Sequence, residues 1–157
     1  MREEGRAEAS RRNGRGRQSA AIAVRVVLDT NVFISGVFFG GLPHRILRVW
    51  RDGVIQLLLS SEILEEYTRV GEELAARFPG VDLFPVLKLV AMHAEFAEGE
   101  PLRKRVCDGP DDEKFLVCAA AGRVRVIVSG DKHLLAVSGW SGIDVLKPRA
   151  FVDAYLS

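Results

Sequence analysis

The sequence has few of the residues on which several protein classes depend. Its two cysteines, Cys107 and Cys118, do not provide a disulfide framework, and we expect Cys118 to be a small core residue. The three histidines are widely separated, and none has the spacing of a metal-binding motif. No apolar run approaches the length of a membrane span, and the first residues lack the apolar centre of a secretory signal. We therefore expect a cytoplasmic protein that does not enter a membrane.

The length and the charge distribution indicate one domain preceded by a basic tail. A chain of 157 residues with 48% hydrophobic content can bury a substantial core. Residues 1–21 contain six arginines and three glutamates, which leaves the rest of the chain slightly acidic. Because residues 1–21 lack apolar residues that could order them, we predict a disordered Arg-rich tail, with a nucleic-acid-binding arm as the alternative. The domain itself is predicted to span 22–157.

Apolar runs alternate with amphipathic segments along the domain. Strands are predicted at 24–28, 54–59, 105–106, 124–128 and 143–146. Helices are predicted through Ile46 and Trp50, from Ser60 or Ser61 to Pro79, over 84–96, from Asp111-Asp112 to 121, over 133–136 and over 148–155. The stretch 36–43, rich in glycine and phenylalanine, is predicted to be a loop. The alternation indicates an α/β fold with a mainly parallel central sheet.

Two of the predicted strands each lead into an aspartate. The first strand is followed by Asp29-Thr30-Asn31, and the strand at 124–128 is followed by Ser129-Gly130-Asp131. Because parallel strands present their carboxyl ends at one edge of a sheet, we expect Asp29 and Asp131 to face one crevice. Each motif alone is equally typical of an ordinary turn after a strand. Together the two motifs indicate a site for a cation.

Two more acidic candidates lie near helix starts, and each has an acidic neighbour. Helix periodicity places Glu66 beside the apolar stripe of its helix and Glu65 nearly opposite, so Glu66 is the better inward-facing ligand. Asp111 suits the N-cap after Pro110, which leaves Asp112 in the first turn. We favour Asp112 as a ligand and Asp111 as cap or outer support. A solvated charge at Glu66 and a helix-dipole role at Asp112 are the alternatives.

The four favoured acids, Asp29, Glu66, Asp112 and Asp131, would repel one another unless a cation balanced them. Oxygen ligands without Cys or His suit Mg²⁺ or Mn²⁺, which keep bound waters and accept phosphate oxygens. Such ions promote phosphodiester hydrolysis by ionising water and neutralising the leaving oxygen. Three polar residues beside the acids are placed to orient ligands, waters or phosphate: Thr30, Asn31 and Ser129.

Four stretches, at 27–32, 58–67, 110–116 and 128–132, resemble the PIN-domain ribonucleases, in particular the toxins of toxin–antitoxin pairs. The resemblance covers about residues 24–156 and implies a PIN-like three-layer α/β/α fold with a Mg²⁺ or Mn²⁺ site. By resemblance the metal-binding positions are Asp29, Glu66, Asp112 and Asp131, with Thr30, Asn31 and Ser129 in supporting positions. Relatives often carry Asp directly before the proline of the third stretch, where this chain has Gly109, with Asp108 one step earlier.

The favoured hypothesis is a metal-dependent endoribonuclease that cleaves RNA as the toxin of a toxin–antitoxin pair. A small antitoxin protein would be its partner, and the resemblance also implies a homodimer. RNA contacts would come from the tail or from local basic residues such as Arg25, Arg45, Arg48, Lys114 and Lys132. An RNA-processing or DNA-acting PIN nuclease outside a toxin pair stays open, as does a non-catalytic metal-binding module.

Two other metal-dependent α/β classes are disfavoured by the residues around the first strand. That strand offers no acidic pair of the kind that phosphoryl receivers place before their phosphorylated aspartate. Asn31 stands where a dehalogenase-type phosphatase would need a second aspartate. Both absences favour the nuclease hypothesis over phosphoryl transfer to the protein.

Overall fold

Short runs of buried aliphatic side chains form the strands of a central sheet. The computed structural model describes residues 23–109 and 111–156, so the predicted tail at 1–21 and the ends of the predicted 22–157 domain lie outside the described residues. The strands are β1 (Val24–Leu28), β2 (Ile55–Leu59), β3 (Glu95–Phe96), β4 (Val126–Val128) and β5 (Asp144–Leu146). Their order is β3-β2-β1-β4-β5, and every pairing is parallel.

Helices connect the strands and cover the sheet. They are α1 (Thr30–Phe38), α2 (Gly41–Arg51), α3 (Ser61–Ala75), α4 (Leu83–His93), α5 (Glu113–Ala121), α6 (Lys132–Ala136) and α7 (Pro148–Tyr155). The predicted three-layer α/β/α fold with a parallel sheet is confirmed. Within the described ranges no single helix is long and apolar enough to cross a membrane, and only α1 and α2 pass together, across a 90° bend.

The order in which the strands follow one another reverses at the central strand, β1. β1 is paired with β2 on one side and with β4 on the other, and the later strands continue outward from β4. In open α/β sheets, ligands bind at the carboxyl ends of the strands where the order reverses. The residues after β1 and β4, 29–31 and 129–131, therefore lie at the position where this architecture binds ligands.

The predicted loop at 36–43 is wrong, because two helices meet there. Asp29 begins α1 as its N-cap, and its Oδ1 accepts the Val32 N–H at 2.8 Å. Gly36 lies within α1, where a β carbon would come within 2.7 Å of the Pro43 carbonyl oxygen and a Leu47 methyl. The glycine thus allows α2 to pack closely on α1 and does not mark a loop.

Two predictions about the edge of the sheet are also wrong. The helix predicted over 84–96 ends at His93, and Glu95–Phe96 instead pairs with Leu58–Leu59 as β3. No strand forms near residues 105–106 in the described part of the chain. A two-residue edge strand gives almost no local pattern, and here it forms by pairing with the end of β2.

Candidate active site

One buried hydroxyl links the ends of β1 and β4. Ser129, which is fully buried after β4, donates its hydroxyl hydrogen to Oδ2 of Asp29. The same Oγ accepts the backbone N–H of Asp131 at 2.9 Å. Asp131 in turn begins α6 as its N-cap, and its Oδ1 accepts the His133 N–H at 2.7 Å. The two aspartates that the sequence places after strands are thus joined through one serine.

Asp112 approaches these two aspartates from the start of α5. Its backbone occupies the N-cap position of α5, and its side chain makes no capping hydrogen bond. The prediction that Asp111 caps this helix and Asp112 lies in its first turn is therefore wrong, since Asp111 is exposed one residue earlier. The Cys107 thiol lies 4.0 Å from Oδ2 of Asp112. A β carbon at Gly109 would overlap that oxygen, so the missing side chain at 109 makes room for the Asp112 carboxylate.

The loop before α5 is anchored by Glu113, which sequence reasoning did not single out. Its Oε2 accepts the backbone N–H groups of Val106 at 2.7 Å and Cys107 at 3.3 Å. These two hydrogen bonds tie the loop at 106–107 to the first turn of α5. The sequence pattern does not indicate this role of Glu113, because a glutamate in the first turn of a helix ordinarily interacts with the helix dipole.

Asp29, Asp112 and Asp131, here called the aspartate trio, influence one another electrostatically. Burial raises the pKa of Asp29 to about 6, against hydrogen bonds from Ser129 and Val32, and the charges of Asp131 and Asp112 add to the rise. Burial also raises the pKa of Asp112, and the charge of Asp131 is the next contribution in the same direction. The trio therefore gathers like charges around one deeply buried carboxylate, Asp29.

Glu66 has opposite surroundings. Its Oε1 accepts a hydrogen bond from the Lys114 ammonium, and its Oε2 accepts one from the Thr30 hydroxyl. Burial raises the pKa of Glu66, but these two hydrogen bonds and the Lys114 charge outweigh it, so the pKa is lowered overall. Arg69 adds a weaker ion pair at 3.9 Å. Glu65 is exposed, so Glu66 is the member of the pair that faces the site, as periodicity predicts.

A tyrosine, which sequence reasoning treated only as part of an apolar stripe, positions Glu66. The hydroxyl of Tyr67 donates to the Leu28 carbonyl oxygen at 2.6 Å, and its ring stacks on Phe33 with centroids 4.1 Å apart. Tyr67 is 1% exposed. Because Leu28 precedes Asp29, this contact fixes α3 against the end of β1. Among the described residues predicted as supports, Thr30 and Ser129 contact acids, whereas Asn31 is exposed on the first turn of α1.

The trio fits a hydrated divalent cation. Within the described residues, no group of three or more His, Cys, Asp or Glu side chains already surrounds a common point. Mg²⁺ usually keeps several waters and binds through one or two carboxylates, so it does not need such a closed cage. The donors are all oxygen, and their mutual repulsion would be relieved by positive charge. The assignment of individual residues as metal ligands stays a prediction.

The family model described as the PIN domain matches residues 25–133, which include the whole trio and Glu66. The chain belongs to the PIN-domain family. A PIN domain indicates a nuclease, and PIN domains typically use divalent metals. The search of curated proteins gave no significant match.

Proposed function

We propose that this PIN-domain nuclease is a Mg²⁺- or Mn²⁺-dependent endoribonuclease that acts as the toxin of a toxin–antitoxin pair. The observation that supports the chemistry best is the aspartate trio at the point where the strand order reverses. Three like charges, one of them deeply buried, favour a bound cation, and a hydrated cation accepts a phosphate oxygen as a ligand. With RNA as the substrate, we expect the activity in the cytoplasm.

The proposed reaction is hydrolysis of a phosphodiester. A water oxygen forms a bond to phosphorus, the bond from phosphorus to the leaving ribose oxygen breaks, and protons pass from the water to solvent and from solvent to the leaving oxygen. The metal, held by Asp29, Asp112 and Asp131 directly or through water, would supply charge neutralisation and a more acidic water. Ser129 keeps the Asp29 carboxylate aimed at the crevice, and the two helix N-caps hold Asp29 and Asp131 in place.

Cleavage of a mixed pool of structured and unstructured RNAs tests the proposal. The wild type is compared with Asp29→Asn and Asp112→Asn in Mg²⁺, in Mn²⁺ and in EDTA. Asp82→Asn is the matched control, because Asp82 is exposed and makes no capping hydrogen bond at α4. We expect EDTA and both site variants to reduce cleavage about 100-fold or more, and the control to cleave like wild type.

Three results would contradict the assignment. If RNA is cleaved as fast in EDTA as with Mg²⁺ or Mn²⁺, the reaction does not depend on a metal. Cleavage of DNA but not of RNA, under the same conditions, would replace the ribonuclease by a DNA-acting nuclease with the same site. A folded protein that cleaves neither polymer with either metal would favour a non-catalytic binding module.

The toxin role is supported by an exposed aromatic surface at the turn between α1 and α2. The rings of Phe38, Phe39 and Phe78 lie within 6.4 Å of one another, and Phe39 is 61% exposed. Exposed aromatic side chains that cluster in this way are typical of protein contact surfaces. A small antitoxin protein or a second copy of this chain in a homodimer would cover them.

Expression in a bacterial host tests the toxin role. We expect growth arrest with the wild type, normal growth with Asp112→Asn, and rescue when the product of the adjacent gene is co-expressed. Normal growth with abundant, active wild-type protein would favour an RNA-processing nuclease outside a toxin pair. Light scattering of the purified protein, compared with Phe39→Ser, tests the homodimer.

A further inference from the structure

The buried ion pair between Glu66 and Lys114 stands apart from the aspartate trio. Both oxygens of Glu66 accept hydrogen bonds, as both oxygens of Asp29 do, but one of the donors to Glu66 is the Lys114 ammonium and the other is the Thr30 hydroxyl. The Lys114 side chain is 9% exposed and the Glu66 side chain 14%. A metal that displaced Lys114 from Glu66 would leave an ammonium group in a mostly buried place without its partner. Such a loss is costly for a buried ion pair.

Lys114 keeps hydrogen-bonding capacity after it has paired with Glu66. An ammonium group has three N–H donors, and within the described residues Glu66 is the one hydrogen-bond acceptor that it contacts. Lys114 also lines a groove of about 220 Å³ beside the end of β2. The other charged side chains that line this groove are acidic: Glu62, Glu98 and Glu113.

The other cations that the sequence offers for RNA binding are not held in a buried ion pair. Arg25 is paired with Glu95 at 2.6 Å, near the start of β1. Arg45 and Arg48 are exposed on α2. Lys132 is exposed in the first turn of α6. Lys114 follows Asp112 by two residues and is held from two sides, by Glu66 and by packing over the Phe115 ring, 6.0 Å from its centroid.

We propose that Lys114 is the residue that binds the substrate phosphate, and that Glu66 is a positioning residue that holds Lys114 and does not ligate the metal. This inference rests on the proposed nuclease function and divides the four predicted acids into two sets. The trio serves the cation, whereas Glu66 serves the lysine. An ammonium that Glu66 holds, on the residue two positions after Asp112, would offset part of the trio's repulsion toward a negatively charged phosphate.

Metal affinity tests the role of Glu66 without any reaction. Isothermal titration with Mn²⁺ alone is compared for wild type, Asp112→Asn, Glu66→Gln and Glu65→Gln. Glu65 is the matched control, since it is the exposed neighbour on the same helix. We expect Asp112→Asn to raise the Kd at least tenfold, and both glutamate variants to change it less than threefold. A Glu66→Gln effect as large as that of Asp112→Asn would overturn the proposal.

RNA affinity tests the role of Lys114. A pool of 16-nucleotide RNAs of random sequence is titrated in Ca²⁺, with Lys114→Met, Lys114→Arg and the double variant Lys114→Met/Glu66→Gln. Lys88→Met on the exposed part of α4 controls for net charge. We expect at least fivefold weaker binding for Lys114→Met and for the double variant, and less than twofold for Lys88→Met and Lys114→Arg.

The double variant distinguishes two roles of Lys114, a contact with the RNA phosphate and neutralisation of the Glu66 charge. It leaves no unpaired charge, so it is expected to fold even where Lys114→Met alone does not. Wild-type RNA affinity in the double variant would overturn the proposal, because Lys114 would then only have balanced Glu66. If the wild type binds no Mn²⁺, the metal part of the proposed function fails, and the RNA titration still decides the role of Lys114.

Discussion

Two carboxylates at the same edge of the sheet have pKa values that are shifted in opposite directions. Asp29 is 4% exposed and has only neutral donors, Ser129 and the Val32 N–H, together with two like charges, so its pKa rises to about 6. Glu66 is also mostly buried, but an ammonium and a hydroxyl bind it, and its pKa falls. Burial raises the pKa of both carboxylates, and at Asp29 it exceeds the opposing hydrogen bonds, whereas at Glu66 the Lys114 ammonium and the two hydrogen bonds outweigh it. One half of the site carries its own cation, and the proposed metal would serve the other half.

The difference has a consequence for stability. Charges brought together without compensation destabilise the fold, and proteins retain them where function requires it. In the metal-free protein, the Asp29 half should therefore be destabilising at neutral pH, whereas the Glu66 half should be stabilising. Substitutions on the two halves are expected to move the free energy of unfolding in opposite directions.

The largest expected effect is a loss of stability when Glu66 loses its Lys114 partner. Lys114→Met removes the ammonium that pairs with Glu66 and leaves that carboxylate with Thr30 and the distant Arg69. We expect the free energy of unfolding to fall by about 3 kcal/mol, as for other buried ion pairs that lose one partner. Urea denaturation checks it, with Lys88→Met as control. If Lys114→Met/Glu66→Gln is no more stable than Lys114→Met, the loss does not come from the unpaired charge.

A gain of stability is expected when the Asp29 carboxylate is replaced by a neutral side chain. Asp29→Asn should stabilise the metal-free protein by about 1 to 3 kcal/mol at pH 7, since a carboxylate whose pKa is raised favours its neutral form in the folded state. The asparagine oxygen can still accept the Val32 N–H and so preserve the α1 cap. Urea denaturation in EDTA measures the difference, with Asp82→Asn as control.

The gain in free energy of unfolding from Asp29→Asn is expected to depend on pH. The folded-state pKa of Asp29 is about 6 and its ordinary value is 3.8, so the folded protein binds more protons than the unfolded chain between these values. The Asp29 contribution to wild-type stability therefore falls as pH rises through this window. Asp29→Asn and wild type should differ little below pH 4 and most above pH 6. A difference that stays constant from pH 4 to pH 8 would contradict the assignment.

A smaller effect is expected from the cation itself. Mg²⁺ at ten times its Kd should stabilise the wild type by about 1.4 kcal/mol, because it binds the folded state alone. Thermal denaturation with and without Mg²⁺ measures this gain. Asp112→Asn should lose most of it, and Glu66→Gln should keep it. Equal stabilisation of all variants would indicate a non-specific salt effect.

The smallest effect is expected at the serine that joins the two strand ends. Ser129→Ala removes the donor to Asp29 and the acceptor for the Asp131 N–H, at a cost of about 1 kcal/mol. It should also raise the pKa of Asp29 further, which the same pH series would detect. Ser138→Ala, which removes one acceptor from the Val145 N–H, is the control. It should leave the pH profile unchanged.

Much of the architecture could be predicted from periodicity. The predicted bounds of β1 and α7 agree with those in the structure. Ser60, one of the two serines predicted as a cap, is the N-cap of α3. The errors fall where distant segments decide the local structure. Gly36 and Phe38 suggested a loop, whereas Gly36 lies in a helix where α2 packs closely on α1. Glu95–Phe96 was predicted as helix, whereas it is a strand that pairs with β2. Local pattern cannot report such contacts.

The candidate site divides in the same way. The sequence by itself determined which acids follow strands and that Glu66 faces inward, because strand ends and helix periods are local properties. Only the tertiary structure decided that Asp112 occupies the cap position of α5 and that Lys114 pairs with Glu66. Ion pairs and pKa shifts depend on distances between segments far apart in the chain, here 48 residues for Glu66 and Lys114. Such distances are set by packing, since no local rule of the sequence contains them.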